Sequence, residues 1–125
     1  MKFIFPKPFN RMWQHLGLTD IDKSNLATYL TEYYQNAPIN SRTNGFPGVL
    51  IQGTGGAIKL RFEQESSARG KSGSYRIIYF TLVQKTVYFL TVYAKKDQAN
   101  LTDTQKQKIQ KVIQHLRHNY HSTKE

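Results

Sequence analysis

The residues best suited to chemistry in this sequence are cations set among strand-forming residues. Lys59 and Arg61 alternate with apolar residues, which puts both on one face of a strand. Arg76 interrupts an otherwise apolar run from Tyr75 to Phe80. Because burying an unpaired guanidinium is costly, an arginine at this position needs a partner or a ligand. Arg76 is therefore either one half of an internal salt bridge or part of a binding site.

Three other groups of residues suggest nucleotide binding, hydrolysis or metal binding, but each lacks a feature that this chemistry requires. The glycine-rich stretch 53–56 lacks the full dinucleotide fingerprint and precedes a strand instead of a helix. Glu63 and Glu65 have no obvious histidine partner for hydrolysis. Three histidines recur at helical spacing without a carboxylate or cysteine to complete a metal site: His115, His118 and His121. We therefore expect no metal and no cofactor.

The charge of the chain points to a polyanionic partner. Its 125 residues carry a formal net charge of +10. Residues 1–58 contain 5 Lys and Arg against 3 Asp and Glu, whereas residues 59–125 contain 13 against 5. Such a field attracts nucleic acid, and its distribution places the binding surface in the second half. The alternative is a basic surface that only keeps the protein in solution.

Length and composition predict one domain spanning residues 1–125. The hydrophobic content of 38% suffices for a core that needs no disulfide or metal ion to hold it together. The chain contains no cysteine. No stretch approaches the ~20 apolar residues of a membrane span. The apolar run at the N-terminus is too short for a signal peptide. We expect a cytoplasmic protein that does not enter a membrane.

The first third of the chain predicts a strand followed by two helices. Residues 2–5 form an apolar strand, and an apolar stripe over 9–16 predicts a short helix that ends at Gly17. Thr19 and Asp22 have the spacing of a capping box and predict the start of a second helix. The helical period of its apolar and aromatic residues predicts that they belong to the core: Leu26, Tyr29, Leu30, Tyr33, Tyr34 and Ala37.

The middle of the chain changes to the alternating periodicity of strands. A loop rich in turn formers at 38–48 leads to short strands at 49–52 and 57–62. Residues 74–83 and 86–94 are β-branched and aromatic runs that predict a hairpin. The sheet is therefore expected to be mainly antiparallel, and the fold class α+β.

The last element is predicted to be a helix. Thr102 and Gln105 form a second capping box, and residues 120–125 are expected to fray. Its apolar stripe comprises Ile109, Val112, Ile113, Leu116 and Tyr120. Four cations avoid that stripe and are expected to be solvated: Lys106, Lys108, Lys111 and Arg117.

Three blocks of sequence, in the same order, resemble RelE-family toxins of the HigB kind. The resemblance is strong over residues 49–113 and, over 1–48, rests on the order of strand and helices alone. The blocks are Val49-Leu-Ile-Gln-Gly-Thr-Gly-Gly-Ala-Ile-Lys-Leu-Arg, Gly70-Lys-Ser-Gly-Ser-Tyr-Arg-Ile-Ile-Tyr-Phe and Val92-Tyr-Ala-Lys-Lys-Asp-Gln-Ala-Asn-Leu-Thr.

The resemblance implies both a fold and an activity. The fold is a compact RelE-like microbial RNase fold, in which a twisted, mainly antiparallel sheet has the N-terminal helices on one face, a C-terminal helix, and an open basic face that meets RNA. The activity is that of the toxin of a type II toxin–antitoxin system. Such a ribosome-dependent endoribonuclease cleaves messenger RNA in the ribosomal A site by attack of the RNA 2′-hydroxyl, with basic side chains in place of a metal. The implied protein partner is a cognate helix-turn-helix antitoxin.

The resemblance also selects site residues. Arg76 is suited to bidentate phosphate binding, and Lys59 or Lys96 to donating or accepting a proton. The loop cations Arg69 and Lys71 are expected to bind RNA or the ribosome. The positions that match the basic set of the family are Lys59, Arg61, Arg76, Lys95 and Lys96.

The sequence departs from some relatives at one position. Where they place a catalytic tyrosine, this chain reads Asn100-Leu-Thr-Asp. Tyr75, Tyr79 and Tyr93 lie near in sequence but are expected to pack against the sheet. Two other functions stay open: a ParE-like toxin that poisons gyrase, and a nucleic-acid-binding module without enzymatic activity.

Overall fold

The computed structural model describes residues 1–36, 43, 45–64, 73–82 and 85–122. Within these ranges the chain forms one open sheet with helices against both faces, which confirms the α+β class. The elements are β1 (Lys2–Ile4), α1 (Lys7–His15), α2 (Asp20–Gln35), β2 (Val49–Leu50), β3 (Ile58–Glu63), β4 (Ser74–Leu82), β5 (Thr86–Ala94) and α3 (Asp103–Ser122).

The sheet has the strand order β1-β5-β4-β3-β2. β1 runs parallel to β5, and the other neighbouring pairs are antiparallel, as the sequence predicts. The register of β4 against β5 shifts between Ile78 and Tyr79, where Leu90 is the extra residue of a bulge. β2 pairs with β3 through two residues, Val49 and Leu50. From Leu60 onward no described strand pairs with β3 on that side, which we term the free edge of β3.

The larger core lies between the sheet and the two N-terminal helices. Phe9 and Trp13 of α1 are buried against Phe89 of β5, whose ring stacks on Phe5 with centroids 4.5 Å apart. Leu26 and Leu30 bring α2 into the same cluster. The alternating apolar positions of β3 to β5 supply the sheet side of this core.

The opposite face of the sheet is covered in part by α3. Ile109 and Ile113 are buried against Ile78 and Phe80 of β4. Because the apolar stripe of α3 packs here, part of this face of the sheet is covered. The uncovered part carries the strand cations.

Both predicted capping boxes form. The Thr19 hydroxyl accepts a hydrogen bond from the Asp22 backbone, and the Asp22 carboxylate accepts one from the Thr19 backbone. Thr102 and Gln105 make the equivalent pair of bonds. The helix α3 extends to Ser122, past the residue at which the sequence suggests fraying, and residues 123–125 lie outside the described ranges.

Three predicted core residues are exposed instead. Tyr29 and Tyr33 of α2 keep 46% and 43% of their surface in contact with solvent, and Val112 of α3 keeps 40%. The two tyrosines lie at the margin of the sheet, near the free edge of β3, where no strand among the described residues covers them. Helical period alone gave the wrong prediction there.

Candidate functional site

A cleft at the free edge of β3 brings three of the predicted site residues together. Lys59, Arg61 and Arg76 line it, and its volume is about 640 Å³. The register explains the arrangement, because Arg61 of β3 lies directly opposite Arg76 of β4, and Lys59 lies two residues from Arg61 on the same face. The other side of the cleft comes from α2 and from residues 47–49.

The two arginines of the cleft have different partners. Arg61 forms an exposed ion pair with Glu63, with 3.2 Å between Nη2 and Oε1. Nη1 of Arg76 donates to the Ser74 hydroxyl and to the Tyr75 carbonyl oxygen, both at 3.2 Å. No carboxylate of the described residues forms an ion pair with Arg76. The internal salt bridge that the sequence left open is therefore absent from the part of the chain that the structure covers.

This anchoring leaves most of the Arg76 guanidinium available. Both hydrogens of Nη1 are used by Ser74 and Tyr75, whereas Nη2 and Nε have no hydrogen-bond acceptor among the residues with described positions. A guanidinium held by one nitrogen keeps a fixed orientation and presents the rest of its planar donor set. It can therefore bind a phosphate through two parallel hydrogen bonds.

Tyr93 of β5 lies beside Arg76 in the sheet as its cross-strand neighbour. Its side chain is buried, and its hydroxyl has no hydrogen-bond partner within the described structure. Burial raises the pKa of Tyr93, while the nearby Arg76 guanidinium opposes that rise. Tyr93, like the buried Tyr75 and Tyr79, packs in the sheet as predicted.

Lys59 connects the main cleft to a smaller one of about 300 Å³. Its Nζ donates to Oδ1 of Asn100 at 3.4 Å, and Lys106, which the sequence predicts to be solvated, lines the same small cleft. Asn100 begins the stretch in which the family resemblance leads us to expect a tyrosine in some relatives. No periodicity in the sequence places either residue beside Lys59, since 41 positions separate Lys59 from Asn100.

The lysine pair after β5 lies elsewhere. Lys95 and Lys96 are exposed in a turn and line a separate cleft of about 610 Å³ with Ser74 and Gln64. The backbone N–H of Lys95 donates to the Ser74 carbonyl oxygen at 3.0 Å, so the turn is fixed to the strand that carries Arg76. The predicted RNA-binding residues Arg69 and Lys71 lie outside the described residues.

The helix side of the main cleft is aromatic. Tyr29 and Tyr33 line it, and their ring centroids are 6.0 Å apart. Sequence periodicity places both in the core, and their i, i+4 spacing contains no signal that separates a cleft wall from a core stripe.

Among the side chains that are described, no group of His, Cys, Asp or Glu could hold a metal ion. No helix within the described ranges is long and apolar enough to cross a membrane.

The sequence matches a known protein family. The sequence model of the RelE toxin of the RelE/RelB toxin–antitoxin system matches residues 50–123, which is more than half of the chain. The matched region contains β3, β4, β5 and α3, and with them all three cations of the main cleft.

Proposed function

The chain belongs to the RelE family of toxins from toxin–antitoxin systems, and from that premise we propose that it is an endoribonuclease that cleaves messenger RNA in the ribosomal A site. The observation that carries the proposal is the convergence of Lys59, Arg61 and Arg76 on one cleft. Cations on a strand face suit a phosphodiester backbone. The HigB-like subtype stays a prediction from the sequence blocks.

The proposed reaction uses a nucleophile from the RNA itself. The 2′-oxygen loses its proton and bonds to the adjacent phosphorus, the bond from phosphorus to the 5′-oxygen breaks, and that oxygen gains a proton. The products are a 2′,3′-cyclic phosphate and a 5′-hydroxyl. Arg76 would hold the phosphate oxygens through Nη2 and Nε and stabilise the charge that develops on them. Lys59 would deliver or accept a proton at the reacting oxygens.

In this proposal the ribosome aligns the reacting atoms, which compensates for the lack of a strong general base among the described residues of the cleft. The described lining contains no histidine, and its two carboxylates are engaged: Glu63 with Arg61, and Asp22 with Thr19 and Gln64. Holding the 2′-oxygen in line with the scissile bond contributes a large part of the rate without a strong base. We therefore expect efficient cleavage only when the ribosome fixes the geometry of the messenger RNA.

The test compares one messenger RNA in two states. Purified protein is added to the RNA on translating ribosomes and to the same RNA free in solution, and primer extension maps the new 5′ ends. We expect cuts at defined codon positions on the ribosome and little cleavage of the free RNA. Equal cleavage of both would contradict the ribosome-dependent mechanism.

Pulse labelling after induced expression distinguishes the alternative functions. An endoribonuclease of messenger RNA stops protein synthesis first. A gyrase poison stops DNA synthesis first, and a binding module without activity leaves both intact. Either of the last two outcomes would overturn the proposal.

A neutralising partner follows from the family. We propose that a small helix-turn-helix antitoxin binds this chain directly, with an acidic segment over the cations of the main cleft. Co-expression of this chain with the product of the adjacent gene, followed by co-purification, tests this proposal. The complex should lose affinity when Lys59 and Arg76 are both replaced by alanine, and an unchanged affinity would move the antitoxin to another surface.

A further inference from the structure

We propose that Tyr29 and Tyr33 form a stacking subsite for a base of single-stranded RNA on the wall of the main cleft that α2 supplies. This inference rests on the proposed function for its choice of RNA. The proposal adds two aromatic residues to a site whose other proposed members are cations. Both belong to α2, which lies outside the region that the family model matches.

The exposure of the two rings is the first observation. Both tyrosines keep more than two fifths of their surface in contact with solvent and line the same cleft as Lys59, Arg61 and Arg76. Their spacing of four residues places them one turn apart on the same side of α2. The ring planes are tilted by 52°, so the two rings are not stacked on one another and do not cover each other's faces.

The rigidity of α2 is the second observation. Leu26 and Leu30 are fully buried in the core, so the helix is fixed from its other side. Tyr34, the neighbour of Tyr33, packs on Phe46 with ring centroids 4.8 Å apart. The exposed rings are thus presented by a fixed helix, and replacing them should cost little stability because neither belongs to the core.

The combination of cations and exposed rings fits single-stranded RNA. The carboxylates of the cleft are already engaged, whereas Lys59 and Arg76 have no carboxylate partner in the described part of the chain. Single-stranded RNA presents phosphates and unstacked bases side by side. Such strands are bound by aromatic rings that stack on the bases and by cations that follow the backbone. Both kinds of group line the main cleft, which continues around the edge of β3. The cations lie on the face of the sheet that α3 partly covers, and the two rings lie on the side of α2.

The experiment measures binding without cleavage. The probe is a short single-stranded RNA that is 2′-O-methylated throughout, so the nucleophile is blocked, and it carries 2-aminopurine, whose fluorescence is quenched by stacking. We expect Tyr29→Ala or Tyr33→Ala to weaken binding by about 5- to 150-fold and to reduce the quenching. The phenylalanine variants should keep both, because the stacking face is unchanged.

Two controls separate stacking from general surface effects. Ile21→Ala removes an exposed apolar side chain of the same helix that does not line the cleft, and it should leave binding unchanged. An oligonucleotide with the same backbone but abasic positions should bind the parent and the alanine variants alike. Equal weakening on the abasic strand would overturn the proposal, since the rings would then act on the backbone or on the fold.

The remaining outcomes are also decisive. Unchanged RNA binding by both alanine variants, together with lost binding of the antitoxin, would assign the rings to a protein interface and overturn the stacking subsite. If the parent protein fails to cleave ribosome-bound RNA, the proposed function falls. In that case the comparison of normal and abasic strands still tests the stacking subsite. Failure of the subsite can therefore be distinguished from failure of the proposed function.

Discussion

Replacing Arg76 by alanine should reduce cleavage by ~10²–10³ and leave the fold intact. The guanidinium is anchored to β4 by two hydrogen bonds from Nη1 and keeps its other donors for the phosphate. An electrostatic contact of this kind that acts on the transition state is worth ~10²–10³ in rate. Arg76→Lys should recover part of this loss, because an ammonium retains the charge without the planar pair of donors.

The expected effect of the substitution on stability follows from the surroundings of Arg76. Alanine loses the hydrogen bonds to Ser74 and Tyr75, but this strand position is only half-buried and water can replace them. Alanine also removes the like charge that lies directly opposite Arg61, a repulsion of ~0.2–1 kcal/mol. The two effects oppose each other, so the free energy of unfolding should change by about 1 kcal/mol or less.

The assay pairs cleavage of ribosome-bound messenger RNA with thermal unfolding of the same preparation. Arg11→Ala is the matched control, because it removes the same charge from an exposed site on α1 outside the main cleft. A hidden ion pair would instead lower the stability of Arg76→Ala by ~3–5 kcal/mol. A melting temperature lowered by more than ~10 °C would therefore refute the reasoning. Full activity of Arg76→Ala would refute it equally.

Three further predictions concern other parts of the molecule. Lys59→Met should reduce cleavage by ~10²–10⁴ if the ammonium takes part in proton transfer, while Lys108→Met on the exposed side of α3 should not, as measured by the same primer-extension assay. Burial raises the pKa of Tyr79, so the folded state keeps a proton that the unfolded chain releases near pH ~10. The free energy of unfolding should therefore fall above pH ~10 by up to ~1.4 kcal/mol per pH unit, and urea titrations of Tyr79→Phe should show a shallower decline, whereas an equal slope would contradict this assignment. Phe89→Ala should lose ~3–5 kcal/mol in urea unfolding because its ring is fully buried among other aromatic rings, and a loss no larger than that of the exposed Val112→Ala would be inconsistent with the packing described.

The helices and strands of this fold follow from local patterns in the sequence. Thr19 with Asp22, and Thr102 with Gln105, place the starts of two helices correctly, because a capping box satisfies backbone donors within a single turn. Alternation on either side of Lys59 predicts β3 for an equally local reason. Local geometry depends on residues that are close together in the chain, so it can be predicted from a single sequence.

The sequence also indicates which residues can bind a phosphate, but not which of them lie in the same cleft. Arg61 and Arg76 face each other because of the register between β3 and β4, a pairing set by the packing of both strands. The same packing places Lys95 and Lys96 in a different cleft and brings Asn100 to Lys59.

The role of the aromatic residues on α2 depends on the tertiary structure. Tyr29 and Tyr33 share the helical period of the buried Leu26 and Leu30, so periodicity makes the same prediction for all four. What separates them is the extent of the sheet, which in the described part of the chain ends at the free edge of β3 beyond a two-residue β2. The amount of surface available to cover a side chain is a property of the whole assembly of strands, and no local pattern around a residue contains it.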